Sequence, residues 1–193
     1  MFVCFNFFII LQKINAMFRK DVAIQAILYV ASKVRRKDIH KICKILYFAD
    51  RDHLSTYGRT ITGDVYIAMK YGPVPSNIED IFKAVRGTSY FSKYADEFSG
   101  YFRFKNDYIL EPLRKPDMDY LSESDVECLD KYILKCGDMP FGELTAMSHD
   151  IAWNASEKDR AMSITDILSE AGDSEDYISY IGHKMDLENS FMS

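Results

Sequence analysis

Asp50 and His53 stand three residues apart in a stretch whose apolar residues recur at helical spacing, and here the sequence comes closest to chemistry. At about 100° per residue, Ile39, Ile42, Cys43 and Leu46 share one face of a helix, which Asp50, His53, Leu54 and Tyr57 continue. Ile45, Phe48 and Ala49 make much of the remaining circumference apolar, so this helix is expected to be central. A carboxylate and an imidazole on such a stripe could serve a metal or acid–base site, or could tie the helix to the loop that follows. Two ligands at i and i+3 do not make a metal site without a third. His149, followed by Asp150, could complete one, but it lies far along the chain and nothing local brings it close. Burying an unpaired carboxylate is expensive, so Asp50 needs a partner such as His53, Arg59 or backbone amides. The residues are read first as a structural polar network of Asp50, His53, Tyr57 and His149. No catalytic residue, metal ligand or cofactor is expected.

Other catalytic templates fail plainly: there is no G-x-S-x-G, H-E-x-x-H, Walker loop or G-x-G-x-x-G. Arg35-Arg36-Lys37 reads as a solvated basic turn. Aromatics crowd the interval from Tyr57 to Phe102 (Tyr90, Phe91 and Tyr94 among them), interleaved with Arg59, Lys70, Arg86 and Lys93. That mixture suits a protein–protein hot spot, and equally a small sheet built from rings. Gly58 should end the central helix and leave Arg59 at a corner, with its charge near water or near Asp64. The stiff Gly72-Pro73-Val74-Pro75 run would hold Tyr66 and Tyr71 with little freedom left to lose on binding. The candidate partner surface is therefore Arg59, Asp64, Tyr66, Tyr71, Pro73 and Pro75. The competing role for Arg59 is to neutralise Asp50 or Asp64 within the fold.

Around these residues the periodicity predicts mostly helix. Val22, Ala26, Ile27, Val30 and Val34 give a first amphipathic helix, and Asp38 caps the long one that runs to Tyr57. Strand character from Val65 to Tyr71 is broken by the two prolines that follow, and Ser76-x-x-Glu79 reads as a capping box. Tyr101 to Glu111 predicts a hairpin turning at Asn106-Asp107. Ser122-x-x-Asp125 and Ser163-x-x-Asp166 open later helices, Gly137 and Gly172 stop them, and residues 174–184 form a short final helix. The expected class is α+β and predominantly helical: a single domain of about seven to nine helices with a small antiparallel sheet.

With 193 residues, 48% of them hydrophobic, the chain can build one core of ordinary size. Its net charge of −5 argues against a surface that grips nucleic acid as a whole. Cys4, Cys43, Cys128 and Cys136 form no C-x-x-C, and a reducing, cytoplasmic setting is the simpler reading. The apolar opening MFVCFNFFII lacks a basic flank and is too short to span a bilayer as a helix. Residues 1–16 are expected to extend ahead of a domain that starts at Met17.

Several segments together resemble one known family. They are Leu46-Tyr47-Phe48-Ala49-Asp50-Arg51-Asp52-His53-Leu54, then Tyr57-Gly58-Arg59, Ile61-Thr62-Gly63-Asp64, and Ala68 through Ser76 with its G-P-V-P core. Phe141-Gly142-Glu143-Leu144 and Ser148-His149-Asp150-x-Ala152-Trp153 add to the likeness. The family is the Panacea domain of SocA-like antitoxins, also found in phage-associated GepA-type proteins. The similarity covers about residues 17–185, leaving 186–193 as a tail. It implies an antitoxin, not an enzyme, that neutralises a cognate toxin by direct binding. The toxins paired with such domains include small alarmone synthetases and Fic/Doc-type proteins, and one member acts as a protease adaptor. An enzyme or metal-dependent protein using Asp50, His53 and His149, or an adaptor that delivers the toxin to a protease, remains the alternative. A DNA-binding autorepressor is disfavoured because no helix pair carries a basic recognition face.

Overall fold

The computed structural model describes residues 18–88 and 95–191. The expectations for residues 1–16, and for Tyr90, Phe91, Lys93 and Tyr94, lie outside them. Helix α1 spans Lys20–Lys33 and α2 spans Ile39–Tyr57. The hairpin β1 (Tyr66–Met69) and β2 (Gly72–Pro75) leads directly into α3 (Ser76–Val85). After the short α4 (Ala95–Phe98), a second hairpin pairs β3 (Phe102–Lys105) with β4 (Ile109–Pro112). A 3₁₀ turn at Met118–Tyr120 precedes α5 (Glu123–Cys136), α6 (Phe141–Ser148), α7 (Ile151–Ala155), α8 (Ile164–Ala171) and α9 (Glu175–Phe191). The described residues thus form an α+β, mostly helical fold with two antiparallel two-stranded sheets.

Helix α2 is the axis of the core. It packs along α5 and also touches α1, α6, α8 and β2. Its ends are set locally. The Asp38 carboxylate accepts from the Lys41 amide at 2.9 Å, and Gly58 closes the other end at φ +70°, a left-handed conformation that suits glycine. Helix α1 differs from the amphipathic expectation: every residue from Val22 to Ala31 is buried. Its sequence is apolar nearly all round, and such a helix must be enclosed by its neighbours. Ser122 and Asp125 form a complete capping box at the start of α5. The last helix runs on to Phe191 instead of ending at 184.

The largest departure is at Gly72–Pro75, which forms strand β2 where a break was expected. Tyr66 pairs with Pro75, and Met69 with Gly72. Pro73 and Pro75 lie two residues apart, so both missing amides fall on the edge facing away from β1, where no ladder bond is lost. The Pro73 carbonyl points the same way and accepts from Lys44 Nζ at 2.7 Å. The other edge of β1 is covered by residues 160–162, with Ala68 N donating to the Arg160 carbonyl at 2.9 Å.

Candidate functional site

The second half of α2 carries Asp50 and His53 into the interior, at 1% and 0% exposure. They do not bond to each other. Asp50 is held by the loop that follows the helix. Its Oδ1 accepts from the amides of Ile61 (2.7 Å) and Thr62 (3.1 Å), and its Oδ2 from the hydroxyls of Thr62 (2.6 Å) and Tyr66 (2.7 Å). Burial pushes this carboxyl above its usual range, against the pull of those four donors. No cation faces it among the described residues, so it acts as a four-point clasp closing residues 58–66 onto α2.

Asp64 repeats the device one turn of loop later. Its carboxylate accepts from the amides of Val65, Asn77 and Ile78 and from Asn77 Nδ2, all within 2.9 Å. It thereby caps α3 from outside that helix. The expected capping box at Ser76 is absent: α3 has no side-chain cap of its own, and Glu79 turns to Arg86 at 3.3 Å. Burial raises the Asp64 carboxyl to about 6 in spite of the amides.

His53 belongs to a different cluster, on α5. Its Nδ1 lies 2.7 Å from the Arg59 carbonyl and therefore donates; its Nε2 lies 3.0 Å from Ser124 Oγ and 3.2 Å from Asp125 Oδ1. Arg59 Nη2 reaches the same Asp125 oxygen at 2.9 Å and Ser122 Oγ at 3.1 Å. Burial alone would raise the Asp125 carboxyl. The His53 ring edge beside it, the Ser122 amide and the charge of Arg59 together outweigh it and hold Asp125 below the ordinary carboxylate range. Serine, histidine and aspartate meet here, but not as a catalytic relay. A relay needs the carboxylate on one ring nitrogen and the hydroxyl on the other. Here both crowd Nε2, and Nδ1 is occupied by a backbone carbonyl.

The remaining members of the expected network stand elsewhere. Tyr57 is 45% exposed, lies against the His53 ring at 4.6 Å and donates to Glu127 at 3.0 Å. His149 stacks on Trp153 at 3.7 Å and makes no hydrogen bond to Asp50 or His53 among the described residues. Asp150, its neighbour, caps α7 through the Trp153 amide at 2.9 Å and accepts from Tyr47 (2.7 Å) and Arg51 (3.0 Å). The four predicted residues therefore split into an Asp50 clasp, a His53–Tyr57 pair over α5, and a separate His149. No group of three His, Cys, Asp or Glu side chains among the described residues could hold a metal ion.

Sequence reasoning missed Lys44, buried completely with one carbonyl partner and pushed down to about 8 by burial. Nothing in its flanking sequence distinguishes it from a solvated lysine; only its place on the apolar stripe beside Cys43 hints at burial. It also missed the pairing of Asp125, read as a cap, with Arg59.

A family model for the antitoxin SocA-like Panacea domain matches residues 42–154, more than half of the chain. The chain belongs to the SocA-like antitoxin family. No curated protein and no solved structure matches it. The Panacea match opens inside α2 and closes in α7, so it contains both clasps, the β1–β2 hairpin and the His53–Asp125 cluster.

Within the Panacea domain the candidate partner surface is divided by burial. Asp64 (5% exposed), Tyr66 (4%), Pro73 and Pro75 are interior, each engaged as above, and offer no side chain to a partner. The Arg59 side chain is 38% exposed and paired inward, but with Asp125 and not with the Asp50 or Asp64 expected for an internal role. Tyr71 alone stands clear, half exposed at the tip of the β1–β2 hairpin. No helix among the described residues is long and apolar enough to cross a membrane.

Proposed function

We propose that this chain is an antitoxin that silences a cognate protein toxin by binding it, without chemistry of its own. The observation that carries this reading is the family match over residues 42–154. The geometry supports it: the carboxylates of Asp50, Asp64 and Asp125 are each engaged by backbone or side-chain donors that hold the fold together. Such residues position a rigid surface rather than a reaction. Cys43, Cys128 and Cys136 are buried free thiols, as a protein of the reducing cytoplasm would carry. Co-expression with the adjoining reading frame tests the reading. We expect that product to be toxic alone and harmless with this chain, and rescue to persist in Ser124→Ala, which removes the hydroxyl nearest His53. A harmless neighbour, toxicity that persists, or rescue abolished by Ser124→Ala in a folded chain would contradict it.

A further inference from the structure

Two exposed features far apart in sequence meet at one cleft. The Arg35-Arg36-Lys37 turn between α1 and α2 is pinned to β4, with Leu110 N donating to the Lys37 carbonyl at 2.8 Å. Arg36 has one carboxylate, Asp38 at 3.2 Å, and its side chain stays 73% exposed. Arg35 is exposed and pairs with no carboxylate among the described residues. Both arginines share a cleft wall with Phe141, the first residue of α6. Phe141 is half exposed; it packs on His40 at 4.1 Å and meets Tyr71 edge-on at 5.5 Å. Tyr71 is itself half exposed, with Lys70 Nζ 5.1 Å above its ring. Burial, with Lys44 nearby, pushes His40 down to about 4, so the ring beneath Phe141 is uncharged at neutral pH.

Two half-exposed rings, one at the hairpin tip and one at the start of α6, flanked by under-paired guanidinium groups, have the composition of an interface hot spot. We propose that the face from Tyr71 and Phe141 to Arg35 and Arg36 docks the protein partner. The partner brings an apolar side chain to the rings and carboxylates to the arginines. The inference rests on the antitoxin reading and assigns it a surface. Charge complementarity favours an acidic protein patch over nucleic acid. The chain's net charge of −5 opposes an extended polyanion, whereas two guanidinium groups suffice for the few carboxylates that a protein presents beside an apolar side chain.

The test uses the full chain and the purified product of the adjoining reading frame, with association followed by titration. Tyr71→Ser/Phe141→Ser should weaken binding about thirtyfold or more, mainly through faster dissociation. Arg35→Glu/Arg36→Glu should weaken it about tenfold at low salt, mainly through slower association, with the loss shrinking as salt rises. Both variants should melt with the wild type. If the aromatic variant melts early, the arginine variant decides alone, because those two residues are exposed. Wild-type affinity in the arginine variant overturns the proposal. So does loss of duplex DNA binding with toxin binding intact, which would make the face a nucleic-acid surface. Wild-type chain that does not bind the product removes the antitoxin reading and this surface with it.

Discussion

Asp50 shows how a buried carboxylate can be kept without a cation. Four donors converge on two oxygens, so its removal leaves two amides and two hydroxyls without an acceptor. Asp50→Ala is expected to destabilise the fold by about 3 kcal/mol, checked by chemical denaturation. Lys44 gives a pH signature. Its ammonium titrates near 8 in the fold against 10.5 ordinarily, so between those values the unfolded chain binds more protons. Stability from this residue therefore rises with pH across that window, and its burial cost is fully present below pH 8. Against Lys44→Met, the wild type should gain about 1 kcal/mol between pH about 7.5 and pH about 9. A constant difference in urea midpoint between the two chains would refute this. Arg59→Glu places a second negative charge beside buried Asp125 and should lower stability by about 2 kcal/mol. Unchanged melting with lost toxin binding would instead make Arg59 a contact residue.

At the scale of elements, the hairpin tip rests on one glycine. Gly72 sits at φ +92°, and a Cβ there would stand 2.2 Å from Ser148 Oγ and 2.9 Å from Lys44 Cε. Gly72→Ala should cost about 2 kcal/mol and loosen the contact of β2 with α2 and α6, measured by melting and by hydrogen exchange of the hairpin amides. Signals that act within one turn were legible in the sequence. Asp38 and Gly58 bound α2, Ser122 with Asp125 opens α5, and Asn106-Asp107 turns the second hairpin with both residues at positive φ. What depends on distant pairing was not. The prolines of β2 read as a break because their tolerance depends on which edge faces a partner. The Ser76 box lost to Asp64, thirteen residues before Asn77, whose carboxylate caps the same amides from a rigid loop. Asp50 and His53 share a helix face, yet one turns to the following loop and the other to α5, a division that periodicity cannot report.

Across the whole molecule, the polar groups most suggestive of chemistry lie inside and hold α2, its following loop and α5 together, while the groups suited to recognition lie outside on the hairpin tip and the α1–α2 turn. The two sets are separate, so stability and recognition should respond to different substitutions. The claim at the centre is that the chain silences its partner as a bound complex. A titration of purified toxin activity against increasing amounts of this chain, with no protease present, tests it most directly. The account predicts inhibition that rises linearly and ends at a fixed stoichiometric ratio, with the toxin recovered intact and active after dissociation. Complete inhibition at amounts far below equimolar, or toxin recovered chemically altered, would show catalysis and contradict it. Absence of inhibition until a protease is added would contradict it as well, in favour of an adaptor.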